Sequence, residues 1–344
     1  MANKFSTSDF LEKSKSVPIL DVRSPGEFKR AHIPGAISLP LFSDEERAKV
    51  GTCYKQQGKD KAVELGLEFV GPKLAEFVKF AKKIAVNGEV LVHCWRGGMR
   101  SGSMAWLLET AGLQVGLLEG GYKSYRNFVL QTQASSLHLR VIGGKTGSGK
   151  TELLKLMKSE GFQVIDLEDL AKHRGSAFGH FGLEEQPSSE HFENLLCHEL
   201  LSLDLGKPIW VEDESRHIGK VFMNFDFYNQ LRSAPVLFMD ISAENRLPHL
   251  VDVYASYPKE MIEMALDKIK KRLGGNWHKE AIQALEKGDF YEVGKISLTY
   301  YDKAYLYGLE QRENVEVKTI EVNSIDTSVQ LRTIRPFIEA EIEV

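Results

Sequence analysis

Short apolar runs alternate with segments of helical period along most of the chain. Val17 to Val22 (VPILDV) is a compact apolar stretch, and the RSPGEF after it reads as a turn opening a helix. Between Lys73 and Ala85, the residues Leu74, Phe77, Val78, Ala81 and Ile84 recur at helical spacing, which predicts an amphipathic helix. Asn87-Gly88 stops it, and EVLVH (Glu89 to His93) follows as a buried strand. A glycine-rich turn leads into a helix with Met104, Leu107, Leu108 and Ala111 on one face, closed by Gly112. QVGLLEG supplies a further strand, and a helix from about Lys123 completes the set. Strands alternating with helices predict an α/β domain with a parallel sheet.

QTQASS, Gln131 to Ser136, is polar and without period, and reads as a linker between residues 1–130 and 137–325. A second α/β unit begins at LHLRVIGG (Leu137 to Gly144). Its further strands lie near FQVID (Phe162 to Asp166), PIWVED (Pro208 to Asp213) and PVLFMDI (Pro235 to Ile241). From about Lys259 to Leu309 the pattern turns largely helical. Residues 326–344 read as a C-terminal tail with a solvated acidic end, EAEIEV. No internal repeat is visible.

The length of 344 residues fits two domains, or three small ones, at about 150 residues each. With 42% hydrophobic and 27% charged residues, wholesale disorder is excluded. A net charge of −4 excludes a uniformly basic nucleic-acid coat but not a local patch. The three cysteines, Cys53, Cys94 and Cys197, form no CxxC and no zinc spacing. Neither a disulfide framework nor a zinc site is predicted, and a reducing compartment is the natural setting. MANKFSTSDFLEKSKS has no apolar signal core, and no apolar run approaches the roughly 18 residues of a membrane span. The expectation is a soluble, cytoplasmic chain with no membrane partner.

Residues 144–151, GKTGSGKT, match G-x-x-x-x-G-K-[ST] in full. They stand directly after an apolar strand and before a helix carrying Leu153, Leu154, Leu156 and Met157. In such a P-loop, Gly144, Lys145, Thr146, Gly147, Ser148 and Gly149 turn successive backbone N–H groups toward phosphate oxygens. The helix N-terminus adds about half a positive charge. Lys150 suits the outer phosphates and Thr151 a magnesium ion. The motif identifies phosphate binding and is silent on which phosphate. An acid should end a neighbouring strand, and Asp213 and Asp240 both qualify. Asp213 is preferred, because EDESRHIG surrounds it with charge that a plain strand end does not need.

A second loop, His93-Cys94-Trp95-Arg96-Gly97-Gly98-Met99-Arg100-Ser101, also follows a strand and opens a helix. It aims N–H groups at one point, with Arg96 and Arg100 nearby and Gly97 and Gly98 giving the turn its freedom. Such surroundings stabilise a thiolate, so Cys94 is the expected nucleophile. Cys53 and Cys197 have no such surroundings, and Cys197 in ENLLCHEL reads as core. The spacing permits two chemistries. Cysteine phosphatases enclose phosphate in a Cys-x5-Arg loop and attack phosphorus, whereas in rhodaneses the cysteine carries sulfur.

The first unit resembles a single rhodanese domain, on LDVRSPGEFKRAHIPGAISLP (Leu20 to Pro40) and LLEGGYKSYR after the cysteine loop. In that resemblance Asp21, Arg23, Glu27 and His32 shape the domain and take no part in chemistry. Cys94-x5-Arg100 is one residue longer than the usual rhodanese Cys-x4-Arg, which enlarges the anion cradle. The pairing of such a domain with a P-loop domain is more specific than either alone. With CWRGGMRS, GGKTGSGKT, LAKHRGSAFG, WVEDESRHIG and YYDKAY, residues 5–310 resemble the tRNA 2-selenouridine synthases. The resemblance implies a transferase acting on the wobble 2-thiouridine, in the anticodon region of certain tRNAs. The base would be S-geranylated from geranyl diphosphate, then converted to 2-selenouridine with selenophosphate. It also implies a selenophosphate-supplying enzyme as a partner, no tightly bound cofactor, and magnesium at most beside the diphosphate.

Other constellations are less specific. LAKHRGSAFG places His173, Arg174 and Ser176 beside two glycines and reads as a substrate loop. His191 and His198 sit on one helix face without a metal motif and read as structural. KIKKRLGGNWHK (Lys268 to Lys279) mixes cations with Trp277. Lys270, Lys271, Arg272 and Lys279, together with Arg174, are the residues expected to meet tRNA. A cysteine phosphatase fused to a P-loop module, or a P-loop kinase with a regulatory rhodanese module, are the alternatives.

Overall fold

The computed structural model describes residues 2–175, 179 and 182–341. The chain divides into two compact units. The first runs to Thr132 and includes Glu193–Leu195, and the second holds Gln133–Phe192 and everything from Leu196 on.

The first unit has strands β1 (Asn3–Phe5), β2 (Ile19–Asp21), β3 (Ile37–Ser38), β4 (Glu89–His93) and β5 (Gln114–Leu118). Its helices are α1 (Thr7–Ser14), α2 (Pro25–Arg30), α3 (Asp44–Gln57), α4 (Lys59–Val70), α5 (Leu74–Ile84), α6 (Met99–Thr110) and α7 (Gly121–Ala134). The sheet order is β1-β5-β4-β2-β3 and every pairing is parallel. A parallel sheet is covered by helices on its faces, so its central strands are apolar on both sides. Val90, Leu91 and Val92 of β4 are accordingly buried. The register sets Asp21 opposite His93, so the charged end of β2 lies beside the start of the cysteine loop.

The second unit has strands β6 (Leu139–Gly144), β7 (Val164–Ile165), β8 (Ile209–Glu212), β9 (His217–Ile218), β10 (Val221–Phe222), β11 (Val236–Asp240) and β12 (Val317–Glu321). Its helices are α8 (Lys150–Ser159), α9 (Leu167–Ala171), α10 (Ser189–Leu200), α11 (Phe225–Ser233) and α12 (Ala243–Ala255). They continue as α13 (Lys259–Leu273), α14 (Gly275–Lys287), α15 (Phe290–Glu310) and α16 (Thr327–Ala340). The main sheet, β12-β11-β6-β8-β7, is parallel, with β6 at its centre, and β9 and β10 form an antiparallel pair. The P-loop therefore leaves the C-terminal end of the central strand, where ligands bind in open α/β sheets. A separate helical core joins α12 to α15 through Leu250, Ile262, Leu266, Leu285 and Val293.

Two boundaries differ from expectation. The linker at 131–136 is for the most part helix, because α7 runs on to Ala134. Gln133 is buried, and its carbonyl accepts from Gln230 Nε2 at 2.9 Å. The expected tail at 326–344 contains α16. Asp326 caps it, accepting from the Ser328 and Val329 amides, and Leu331, Ile334 and Ile338 are buried. An apolar face of helical period lies behind the acidic end. Of EAEIEV, the residues after Glu341 lie outside the described ones.

Candidate functional site

In the first unit, β4 delivers Cys94 to the floor of its loop and α6 begins at Met99, so the thiol faces a helix N-terminus. Cys94 is buried while Trp95, Arg96, Gly98 and Met99 are exposed above it. Cys94 Sγ lies 3.2 Å from Ser101 Oγ. Burial pushes the thiol up. Hydrogen bonds from the Ser101 side chain and amide and the Arg96 amide, with the charge of Arg100, outweigh it and hold Cys94 below the ordinary thiol range. That is the setting of a thiolate nucleophile.

The loop is braced from behind. The Tyr122 amide donates to Cys94 O at 2.8 Å and the Lys123 amide to Trp95 O at 2.9 Å. Gly97 has φ +65°, and a Cβ on Gly121 would come within 2.4 Å of Cys94 O and Gly97 N. Only glycine allows that approach. Below, Arg23 clasps Asp21 through Nε and Nη2, donates to Ala31 O at 2.7 Å and stacks on Tyr122 at 3.7 Å. Both charges are fully buried, so the pair is a support for the loop and not a group open to substrate.

Glu27 stands closer to this site than its expected shaping role. Its Oε2 accepts from Arg100 Nη1 at 2.8 Å and pairs with Arg47 Nε at 2.9 Å. Burial pushes the Glu27 carboxyl up, but Arg100, the Ser24 amide and Arg47 hold it below the usual range. Glu27 thus orients the arginine of the loop.

In the second unit, Lys150 Nζ donates to Gly144 O at 2.8 Å and Lys145 Nζ to Asp240 Oδ1 at 2.8 Å. Gly147 and Gly149 have φ of +77° and +76°. Three distant residues hold the loop. Arg246, buried, donates to Thr146 O at 2.8 Å and pairs with Asp302 at 2.6 Å. Tyr305 OH accepts from the Gly144 amide at 3.1 Å, and Gln330 of α16 donates to Ser148 O at 2.8 Å. The YYDKAY motif contains Asp302 and Tyr305; nothing local in the sequence marks Arg246 or Gln330.

Asp213, the acid the sequence favours, has both its oxygens engaged. Oδ1 accepts from Arg312 Nη2 at 2.6 Å and Oδ2 from Tyr305 OH at 2.9 Å. Asp213 lines the cavity over the P-loop together with two further acids, Glu168 and Glu214. Thr151 Oγ1 donates to Glu168 Oε2 at 2.7 Å, and Glu212 Oε1 accepts from the Glu168 amide at 2.7 Å. Glu212 is buried with no hydrogen-bond partner for Oε2. Burial, then the charges of neighbouring carboxylates, pushes Glu212 and Glu214 well above the ordinary range. Of the two, Glu214 lines the cavity over the phosphate loop and Glu212 lies buried behind it. Among the described residues no three such side chains converge on one ion position.

A cavity of about 640 Å³ opens over the P-loop. Lys150, Glu168, Arg174, Asp213, Glu214 and Arg272 give it a charged side. Leu250, Val253 and Tyr254 of α12, with Tyr301 and Ala304 of α15, give it an apolar one. Arg174 and Arg272 thus reach the cavity from two separate motifs. Lys270, Lys271 and Lys279 are exposed on α13 and α14 with Trp277 beside them. His278 is buried and paired with Asp267 at 2.8 Å. His173 is buried below Arg174, and Ser176 lies outside the described residues.

Residues 137–333 match the family model described as the tRNA 2-selenouridine synthase AAA domain, and residues 6–128 match the rhodanese-like domain. The tRNA 2-selenouridine synthase of Shewanella denitrificans is 35% identical over 333 residues, covering 86% of this chain and 89% of that protein. That of Bdellovibrio bacteriovorus is 37% identical over 347 residues, covering 87% and 90%. Among solved structures, the N-terminal domain of a putative ATP/GTP binding protein from Clostridium difficile 630 is 43% identical. It covers 38% of this chain and 99% of that chain, with a TM-score of 0.34.

Proposed function

The chain belongs to the tRNA 2-selenouridine synthase family, and from that premise we propose that it exchanges sulfur for selenium in two steps at two sites. In the first, the sulfur of the wobble 2-thiouridine bonds to C1 of geranyl diphosphate. The C1–O bond breaks, diphosphate leaves with the electron pair, and the base loses its N3 proton. In the second, selenium of selenophosphate bonds to C2 and the C2–S bond breaks. Geranylthiolate departs with the electron pair, water takes the phosphoryl group from selenium as phosphate, and the protons released go to the thiolate and to N3.

The observation that carries this reading is the composition of the P-loop cavity, a phosphate cradle facing an apolar wall. The loop amides and Lys150 would hold the diphosphate and stabilise the charge that develops as it leaves. Leu250, Val253, Tyr254, Tyr301 and Ala304 would line the ten-carbon chain and keep water from the allylic carbon. A nucleoside triphosphate needs no such wall at its outer phosphates. Magnesium, where it takes part, would be held by Thr151 and Glu168, with diphosphate and water completing its shell. The Cys94 loop, with its amides and Arg100, would take selenophosphate beside a soft nucleophile. Exposed Lys270, Lys271, Arg272 and Lys279 would meet tRNA phosphates.

Calorimetric titration tests the first site. Geranyl diphosphate should bind, and Lys150→Ala should abolish the heat. Tight ATP binding with steady hydrolysis, indifferent to geranyl diphosphate, would replace this reading with a kinase.

A further inference from the structure

We infer that a second cavity, in the first unit, receives the prenyl chain of the alkylated wobble nucleoside during selenation. The inference rests on the two-step reading above. The cavity, of about 620 Å³, lies among α3, α4 and the first turn of α6. That volume is within the roughly 300–1,000 Å³ of small-ligand sites. Leu41, Phe42, Val50, Ala62, Val63 and Val70 line it. Tyr54, Leu67 and Met99, which also line it, are 56%, 65% and 54% exposed. Exposed apolar side chains gathered around one hollow, and not scattered singly, mark a ligand-binding groove.

Its cations choose the occupant. Arg47, Lys55 and Arg100 line the same hollow, and Glu27 is shared between the two arginines, so positive charge is in excess. An apolar interior with a cationic margin fits an apolar chain carried on an anion, which describes a prenylated nucleotide. Arg100 belongs both to this wall and to the cysteine loop, where its charge bears on Cys94. When the C2–S bond breaks there, the departing geranylthiolate has an apolar receptacle and a neighbouring cation. An unalkylated thiouridine would gain nothing from either.

Gly51 supplies the test. It lines the cavity within α3, and a Cβ built on it meets nothing within 4 Å. Gly51→Phe therefore grows into open space, and losing a mid-helix glycine favours the helix. Purified full-length protein is assayed for selenation of tRNA carrying S-geranyl-2-thiouridine or S-methyl-2-thiouridine. The variant should raise KM for the geranyl substrate by about tenfold or more, the scale at which apolar pockets discriminate chain length. KM for the methyl substrate, and geranylation of 2-thiouridine at the P-loop, should stay as in the parent. Val63→Asp, which charges the hollow without filling it, should give the same pattern. Equal losses on both substrates, or none on the geranyl one, overturn the inference. Should the parent protein fail to selenate S-geranyl tRNA at all, the two-step reading falls. Titration with S-geranyl-2-thiouridine 5′-phosphate then judges the cavity alone: binding lost in Gly51→Phe upholds it, and no binding refutes it.

Discussion

At the scale of single residues, the two loops differ in what holds their reactive groups ready. Cys94 is depressed by hydrogen bonds, chiefly from Ser101, working against burial. Removing that hydroxyl must raise the thiol, because a donor to the charged form is lost while burial remains. Ser101→Ala should therefore shift the pH profile of iodoacetamide alkylation at Cys94 to higher pH, toward the ordinary value of about 8.5. An unchanged profile would mean the amides alone set the thiolate. Asp213 poses the opposite question, since it reads as an acid and sits in an ion pair. Arg312 is buried, and Asp213 is its carboxylate partner at 2.6 Å. Asp213→Asn should thus lower stability by about 3 kcal/mol, the scale of a broken buried pair, seen as a fall in melting temperature. Glu168→Gln, at the Thr151 hydroxyl, should leave melting nearly unchanged and impair geranylation. Reversal of those two effects would give the acid's role to Asp213 and a structural one to Glu168.

At the scale of elements, what was legible in the sequence was what is contiguous in it. Strand, loop and helix at Gly144–Thr151 and at Cys94–Ser101 announce themselves because each motif is a single local turn with its own glycines. The bracing contacts were not legible, Tyr305 standing in a visible motif but with no visible partner, since Arg246, Tyr305 and Gln330 lie about 100, 160 and 180 residues from the carbonyls and amides they bind. α16 is the plainest case, a helix read as tail whose Gln330 reaches Ser148 and whose Ile334 and Ile338 complete the core over α8. Gln330→Ala removes a buried hydrogen bond to Ser148 O, worth about 1 kcal/mol, and a longer one to Ser324 O at 3.3 Å. It should weaken geranyl diphosphate binding severalfold while melting falls by only a few degrees. The helix end at Lys270–Arg272 carries a separate expectation. If α13 and α14 meet tRNA phosphates, Lys271→Ala with Arg272→Ala should flatten the slope of log affinity against log salt by roughly 0.7–0.9 for each phosphate no longer neutralised. Unchanged slope and affinity would move the tRNA face elsewhere on the chain.

At the scale of the whole molecule, the proposed function gives two units with unlike sites an order of events. Alkylation calls for a diphosphate cradle and an apolar wall, and both belong to the second unit. Nothing in that step needs a thiol. Selenation calls for an anion loop beside a soft nucleophile, and both belong to the first. In the proposed sequence it would act on the alkylated base, because S-alkylation turns the 2-thiouridine sulfur into a thiol leaving group and leaves C2 electrophilic. The two halves should therefore separate genetically. Cys94→Ser should stop after alkylation and accumulate S-geranyl-2-thiouridine, read by mass analysis of wobble nucleosides. Lys150→Ala should leave 2-thiouridine unaltered, because the cradle no longer holds the diphosphate. Supplying S-geranylated tRNA should restore 2-selenouridine to the Lys150 variant and not to the Cys94 variant. Mixing the two variants with unmodified substrate should also restore it, provided the alkylated tRNA can leave one molecule and enter another. The opposite rescue would assign each chemistry to the other unit, and rescue of neither would mean that one loop serves both steps.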